Sequence, residues 1–219
     1  MFFIYQIIIL LILILSPFIF IIRIIKNKED KKRFKEKFSL PSKKRNAGRL
    51  IWFHGASVGE LMSIIPLIKY YETNKSIDQI LITSSTISSS NIFKKFNFKK
   101  TIHQFYPIDQ IYFTNKFLKY WSPTLAIFVE SEIWPSMFKS INSKNIPLIL
   151  LNARLTKKTF NRWIKIKFFS MPIFNKLYAA YPQNHETKIY LKKLNVNKIN
   201  LIGNLKFAEN PDENLDKMN

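Results

Sequence analysis

The sequence LIWFHGASVGE, residues 50–60, gives the clearest indication of the fold. It opens with an unbroken apolar run, Leu50–His54, and then passes through small residues that include Gly55 and Gly59. A continuous apolar run is typical of a strand buried on both faces of a parallel sheet, because a half-exposed strand alternates apolar and polar residues. A strand that enters a helix through a glycine-rich turn is the repeating unit of an α/β domain.

Comparable units follow along the chain, and they predict a single domain at residues 49–205. The pattern predicts strands at Leu50–His54, Gln79–Ser84, Thr101–Tyr106, Leu125–Val129, Pro147–Leu151, Leu177–Tyr181 and Asn200–Ile202. It predicts helices at about 59–74, 86–97, 109–120, 134–144, 156–175 and 184–194. Right-handed crossovers between such units give a Rossmann-like, doubly wound parallel sheet. Ligands bind outside the carboxyl ends of its strands, where the informative residues should lie.

An apolar segment precedes this domain. Residues Phe2–Ile25 carry their first charge at Arg23, and at about 1.5 Å per residue the segment is long enough to cross a bilayer. The lysine-rich stretch that follows predicts a cytoplasmic flank by the positive-inside rule. We therefore expect residues 1–25 to be a membrane anchor, either spanning or deeply inserted, with a buried core helix or an in-plane helix as the alternatives. Residues 26–48 then form a basic juxtamembrane segment that ends in a linker at 39–48.

Composition limits the possible functions. The net charge of +21 predicts an affinity for anions, unless it reflects the coding bias of an AT-rich genome, an alternative that stays open. No nucleic-acid-binding motif is present, so we expect no nucleic-acid partner. With no cysteine in the chain, disulfides, thiolate metal sites and cysteine nucleophiles are excluded.

Carboxylates mark two of the predicted strand ends. Glu60 lies in the first turn of the helix after Ser57 and Gly59, where it can act as a base or simply complement the helix dipole. Glu130 and Glu132 follow another buried strand, which indicates a polar site, and a metal pair there is a weak possibility because no histidine has matching spacing.

Cations and hydroxyls follow other strands. Arg154 can clamp an anion or pair with one of those two glutamates, and Lys206 follows a permissive turn at Gly203. The hydroxyl run TSSTISSS, residues 83–90, is expected to cap the next helix, with ligand binding as the alternative, and Asp109 is a candidate N-cap. The three histidines, His54, His103 and His185, are expected to be structural.

Five of these segments, taken in order, resemble one family. IWFHGASVGE, HQFYPID, FVESEIWP, LNARLT and IGNLKF have the order and approximate spacing of the Kdo (3-deoxy-D-manno-octulosonic acid) transferases of lipid A biosynthesis. The apolar N-terminus and the KKRFKEKFSL stretch resemble that family too. The resemblance implies the N-terminal half of a GT-B glycosyltransferase, which transfers Kdo from CMP-Kdo to a lipid A precursor (lipid IVA) at the cytoplasmic face of the inner membrane, with no cofactor and no bound metal.

The resemblance also implies roles for particular residues. The catalytic base falls on Glu60. Substrate-binding positions fall on Ser57, Gly59, Glu130, Glu132, Arg154, Gly203, Asn204 and Lys206. Two departures stand out: the second-strand loop lacks the glycine common in the family, and family members are about twice as long.

From that length we expect residues 206–219 to begin an interdomain linker, with the donor domain absent and the short chain inactive alone. A non-catalytic lipid-binding remnant, or one subunit of a split enzyme, is the alternative.

Overall fold

The computed structural model describes residues 1–207, and its centre is one parallel sheet of six strands. The predicted linker start at 206–219 lies almost wholly outside these residues. The strands are β1 (Leu50–His54), β2 (Gln79–Ser84), β3 (Thr101–Phe105), β4 (Leu125–Val129), β5 (Leu148–Ala153) and β6 (Ala179–Pro182).

Nine α-helices occur in the described part of the chain. They are α1 (Phe2–Ile25), α2 (Val58–Ser63), α3 (Ile65–Thr73), α4 (Ile87–Ile92), α5 (Ile111–Trp121), α6 (Pro135–Ser143), α7 (Lys157–Lys165), α8 (Lys167–Phe174) and α9 (His185–Lys193). Short 3₁₀ turns lie at Phe34–Phe38, Phe93–Lys95 and Leu205–Phe207. The predicted helix at 59–74 is broken at Ile64, because Pro66 has no backbone N–H to continue the hydrogen-bonding pattern.

The strand order is β3-β2-β1-β4-β5-β6, and every pairing is parallel. The chain winds outward in one direction from β1 and then in the other from β4. The order reverses between these two strands, so their carboxyl ends form the topological switch point, where sheets of this class open a ligand crevice.

Both faces of the sheet are covered. Along β1, Trp52 belongs to a core shared with α5, α6 and α8, whereas Phe53 belongs to a second core shared with α2 and α3. All five residues of β1 are buried, which explains why its sequence is continuously apolar. The predicted doubly wound parallel fold is confirmed.

The prediction of a last strand at Asn200–Ile202 is wrong. Residues 200–202 form no strand, and the chain here makes only an isolated bridge between Ile199 and Ala180. Three backbone hydrogen bonds still hold this segment against β6, from Ala180 N to Lys198 O, from Asn200 N to Ala180 O and from Ile202 N to Pro182 O. The segment therefore runs beside β6 without forming a continuous ladder.

Helix α1 is uninterrupted through Pro17 and is long and apolar enough to cross a membrane by length and composition. It does not stand apart from the domain. Tyr5 donates a 2.6 Å hydrogen bond to Asp109, and the Phe20 ring lies 5.3 Å from that of Phe38. One face of the helix therefore rests on the protein while the rest is exposed.

Candidate active site

At the end of β1 the side chain of His54 connects two strands across the switch point. The ring is fully buried, its Nδ1 lies 3.0 Å from Thr83 Oγ1, and its Nε2 lies 3.1 Å from Glu132 Oε2. It stacks on the Tyr106 ring at 3.9 Å. His54 therefore fixes the position of the Glu132 carboxylate.

The carboxylate of Glu132 is held by two ring nitrogens, those of His54 and Trp134. The indole of Trp134 donates to its Oε2 at 2.8 Å, the same oxygen that faces His54. Burial alone would favour the neutral acid, but the hydrogen bond and charge of His54, together with the Trp134 hydrogen bond, hold the pKa of Glu132 below its ordinary value. Glu132 is therefore a fixed negative charge at the mouth of the sheet.

Glu60 lies in the first turn of α2 and takes part in the helix cap. Its two carboxylate oxygens accept hydrogen bonds from Ala56 N at 2.7 Å and from Ser57 Oγ at 2.9 Å. Ser57 Oγ in turn accepts from Glu60 N at 3.2 Å, so the N-cap and the glutamate support each other.

The electrostatics of Glu60 differ from those of an ordinary helix cap. Burial, followed by the negative charge of Glu132 and more weakly that of Glu130, raises the pKa of Glu60, against the lowering effect of its hydrogen bonds from Ser57 and Ala56. A carboxylate with a raised pKa is a stronger base than a solvated one, which suits it to accept a proton.

Glu130 is held in an unusual backbone conformation. Its φ is +57°, in the left-handed region, and its side chain is largely buried. Lys206 Nζ lies 2.6 Å from Glu130 Oε1, and a methyl group on Gly59 would lie 3.8 Å from the same Nζ. The ion pair therefore sits over the start of α2, next to Glu60.

A buried asparagine on β5 holds the turn that carries Lys206. Asn152 has a φ of +51°, and its Oδ1 accepts from Leu205 N at 3.1 Å. Asn204 Oδ1 accepts from Lys206 N at 3.0 Å, and Gly203 supplies the left-handed φ of +83° that the turn needs. Two left-handed residues that are not glycine, Glu130 and Asn152, thus lie at neighbouring strand ends, and backbone strain of this kind concentrates at functional sites.

Most of the residues singled out in the sequence lie around the switch point, and Arg154 joins them through its backbone N–H, which donates to Glu130 O at 3.3 Å. Its side chain is exposed and makes no hydrogen bond or ion pair within residues 1–207. The ion pair proposed for it with Glu130 or Glu132 is not formed, because Lys206 is the partner of Glu130 and His54 the partner of Glu132. Arg154 is therefore available to an anion from solution.

The other polar segments have structural roles. Thr86 Oγ1 accepts from Ser89 N at 3.2 Å and caps α4, as expected. Asp109 is not the N-cap of α5, a position that Gln110 takes. Its carboxylate instead accepts hydrogen bonds from Ser136 N at 3.0 Å and Met137 N at 2.8 Å. These are backbone N–H groups in the first turn of α6 that have no partner within the helix, so Asp109 caps α6 from a distant loop.

Sequence reasoning missed the roles of His54 and Asn152 in the site. Each follows or ends a buried strand, which is the signal that was available, but their partners are 78 and 53 residues away in the chain. Within residues 1–207 no group of three or more His, Cys, Asp or Glu side chains is placed to hold a metal ion.

A doubly wound parallel sheet with carboxylates and a lysine at its switch point defines the class: a Rossmann-like domain of the kind that makes up one half of a GT-B glycosyltransferase. The sequence profile of the Kdo transferase family, described as 3-deoxy-D-manno-octulosonic-acid transferase, matches residues 32–209. The chain belongs to this family of glycosyltransferases.

Two curated relatives illustrate the match. A 3-deoxy-D-manno-octulosonic acid transferase of Rickettsia bellii is 36% identical over 198 residues, which cover 89% of this chain and 47% of the relative. A probable mitochondrial 3-deoxy-D-manno-octulosonic acid transferase of Arabidopsis thaliana is 40% identical over 131 residues, 60% of this chain and 29% of the relative. The chain thus spans about half the length of the Rickettsia relative and a smaller share of the Arabidopsis relative.

Among solved structures, the putative UDP-N-acetylglucosamine 2-epimerase of Listeria monocytogenes is similar in fold. Its TM-score is 0.54 at 14% identity, with 78% of this chain and 52% of that chain covered. At this identity the likeness supports the fold alone.

Proposed function

We propose that this chain is the acceptor-binding side of a Kdo transferase that moves Kdo from CMP-Kdo to a lipid A precursor, lipid IVA, at the cytoplasmic face of the inner membrane. Glu60 is its general base. The observation that carries the proposal is the position of Glu60 at the β1–β4 switch point, with its pKa raised by burial and by Glu132. The family match supplies the reaction class.

The reaction needs one proton acceptor on the protein. The acceptor hydroxyl oxygen forms a bond to the anomeric carbon of Kdo, while the bond from that carbon to the CMP phosphate oxygen breaks and CMP leaves with the electron pair. The hydroxyl proton passes to Glu60. The hydrogen bonds from Ala56 and Ser57 hold the carboxylate in place, so the proton transfer needs little reorganisation.

Cations at the same edge suit the anions that this reaction brings together. Lys206 has 40% of its side chain exposed, and within residues 1–207 its ammonium group pairs with Glu130 alone, so it can turn towards a phosphate or a carboxylate. Arg154 is exposed and offers a planar fork of donors for the same kind of group. We assign both to substrate binding, with Ser57, Gly59, Gly203 and Asn204 shaping the approach.

Replacement of Glu60 by glutamine tests the base directly. Glu60→Gln keeps the shape of the side chain and removes its basicity. In an assembly that contains a donor domain, we expect Kdo transfer to fall by roughly 10²-fold or more while acceptor binding persists.

Glu186→Gln is the matched control, because Glu186 is also a first-turn glutamate, in α9, and in the described part of the chain its carboxylate accepts a hydrogen bond from Tyr190 alone. It should transfer Kdo at the unmodified rate. Normal transfer by Glu60→Gln would rule out the base, and loss of acceptor binding in that variant would mean that Glu60 holds the substrate instead.

A further inference from the structure

Helix α1 contacts the protein along one face for its whole length. Its less exposed residues include Phe2, Tyr5, Ile9, Leu13, Ser16 and Phe20, in steps of three or four residues that trace a single stripe. The polar side chains before Arg23, those of Tyr5, Gln6 and Ser16, all lie on this stripe. A helix surrounded by lipid on every side has no reason to gather its polar groups on one face.

Both ends of α1 are fixed to the domain. Near the N-terminus, Gln6 Nε2 donates to Ser136 Oγ at 2.7 Å and Gln6 Oε1 accepts from Ile111 N at 3.2 Å, beside the bond from Tyr5 to Asp109. Near the C-terminus, the Phe20 ring packs on Phe38 of the following 3₁₀ turn, and the Phe38 ring lies 5.7 Å from that of Phe113 in α5.

This docking is incompatible with a helix that crosses the bilayer. Residues 5 and 20 are about 22 Å apart along the helix axis, most of the thickness of the hydrocarbon core. In a crossing helix, residue 5 would lie on the side of the membrane away from the domain. Asp109 and Ser136 belong to a folded, strongly basic domain and cannot follow it there.

The outer face of the helix has the chemistry of a lipid contact. Phe3, Leu11, Ile14 and Phe18 are each more than half exposed, and no charged residue occurs before Arg23. Exposed lysines follow at once: Lys26, Lys28, Lys31, Lys32 and Lys35. An apolar face bordered by free lysines fits a bilayer surface that contains anionic lipid.

We propose that α1 lies in the plane of the membrane, with its inner face on the α/β domain and its outer face among the acyl chains, and that it does not cross. Asp109 follows β3 and Ser136 follows β4, so the helix runs along the same end of the sheet as Glu60 and Glu132. Insofar as the proposed function holds, this orientation brings the candidate active site to the lipid surface that carries the acceptor.

The sidedness of the two helix ends tests the proposal without reference to catalysis. The chain has no cysteine, so one cysteine inserted after Met1, or Lys28→Cys, gives a unique label site. In sealed spheroplasts a membrane-impermeant maleimide should label neither, and in lysed spheroplasts it should label both. Labelling of the inserted cysteine in sealed cells would show a crossing helix and overturn the proposal.

Cross-linking in native membranes tests the docked face. Gln6→Cys with Ser136→Cys should be joined by a short bis-maleimide, whereas the control pair of Ile8→Cys with Ser136→Cys should not, because residue 8 faces away from the domain. Absence of the first cross-link, or equal yields for both pairs, would contradict the docked helix. Release of the intact protein from membranes by carbonate, or its recovery as a soluble dimer, would exclude lipid as the occupant of the outer face.

Discussion

At the residue scale, the carboxylate of Glu60 is shared between a helix cap and the candidate site. The cap needs only an acceptor, which any first-turn glutamate supplies. What distinguishes Glu60 is a pKa raised first by burial and then by the negative charge of Glu132, which His54 and Trp134 keep ionised nearby. The site therefore contains two carboxylates whose environments move their pKa values in opposite directions, a division expected of an acid–base pair.

The influence of Glu132 on Glu60 has a measurable pH dependence. Glu132→Gln removes the negative charge that raises the pKa of Glu60, so Glu60 should stay ionised to lower pH. We expect the acidic limb of the kcat/KM profile of a transferring assembly to move to lower pH. A limb that stays in place, or moves to higher pH, would contradict the coupling. Glu186→Gln should leave the limb where it is.

Replacement of Gly59 by alanine should change the stability of the fold and the binding of the acceptor in opposite directions. A methyl group there would meet the end of Lys206 at an ordinary distance of 3.8 Å, so Gly59→Ala fits the structure. It should raise the free energy of unfolding by up to about 1 kcal/mol, since alanine is the better helix former. If Gly59 lets the acceptor approach the backbone, acceptor binding should weaken in the same variant. Unchanged acceptor binding by this variant would show that Gly59 is not part of the acceptor site.

At the element scale, α6 begins on a carboxylate from a different part of the chain. The Asp109 carboxylate accepts hydrogen bonds from Ser136 N and Met137 N, and it also accepts one from the hydroxyl of Tyr5 in α1. One buried side chain therefore joins three segments. From sequence, Asp109 looked like a local cap because it stands just before a helix, and nothing in the sequence reveals a partner 27 residues away.

The burial of Asp109 predicts how stability varies with pH. Burial, against the hydrogen bonds it accepts from Tyr5, Ser136 and Met137, raises the pKa of Asp109 to about 6. A raised pKa means that the folded chain holds this proton more tightly, so the contribution to stability is present below the ordinary pKa and is lost as pH rises through about 6.

The Asp109→Asn variant has no titrating group at this position, so it is the reference for the pH dependence that Asp109 gives to stability. From pH 4 to 7 the unmodified chain should lose roughly 2–3 kcal/mol of unfolding free energy relative to the variant. Urea unfolding of both proteins in the same detergent, over a pH series, measures the difference. If the difference in unfolding free energy between the two proteins stays constant with pH, or favours the unmodified chain more as pH rises, Asp109 does not have a raised pKa.

At the scale of the whole molecule, the sequence predicts the sheet better than it predicts the contacts between distant segments. Strands such as Leu50–His54 and Gln79–Ser84 are recognisable because burial on both faces makes them continuously apolar. Residues 200–202 have a similar pattern but lie beyond the sheet edge, where burial no longer enforces pairing. The link from His54 to Glu132 and the docking of α1 depend on tertiary geometry, which single-segment patterns do not contain.

The length of the chain relative to its relatives suggests that two domains share the reaction. The family match covers residues 32–209, and the chain covers 47% of its Rickettsia bellii relative. We propose that the donor is bound by a second domain across the crevice from Glu60. Alignment of two substrates is worth about 7–11 kcal/mol of a reaction barrier, so a single wall of the crevice should bind without turnover.

The most direct measurement is therefore an assay of the purified 219-residue chain with lipid IVA and CMP-Kdo, in which acceptor binding and Kdo transfer are followed together. We expect saturable binding of the acceptor, weakened by Lys206→Ala or Arg154→Ala, with transfer appearing only when a donor domain is added. Kdo transfer by the chain alone at an ordinary enzymatic rate, or binding of CMP-Kdo with no binding of the lipid, would contradict this expectation.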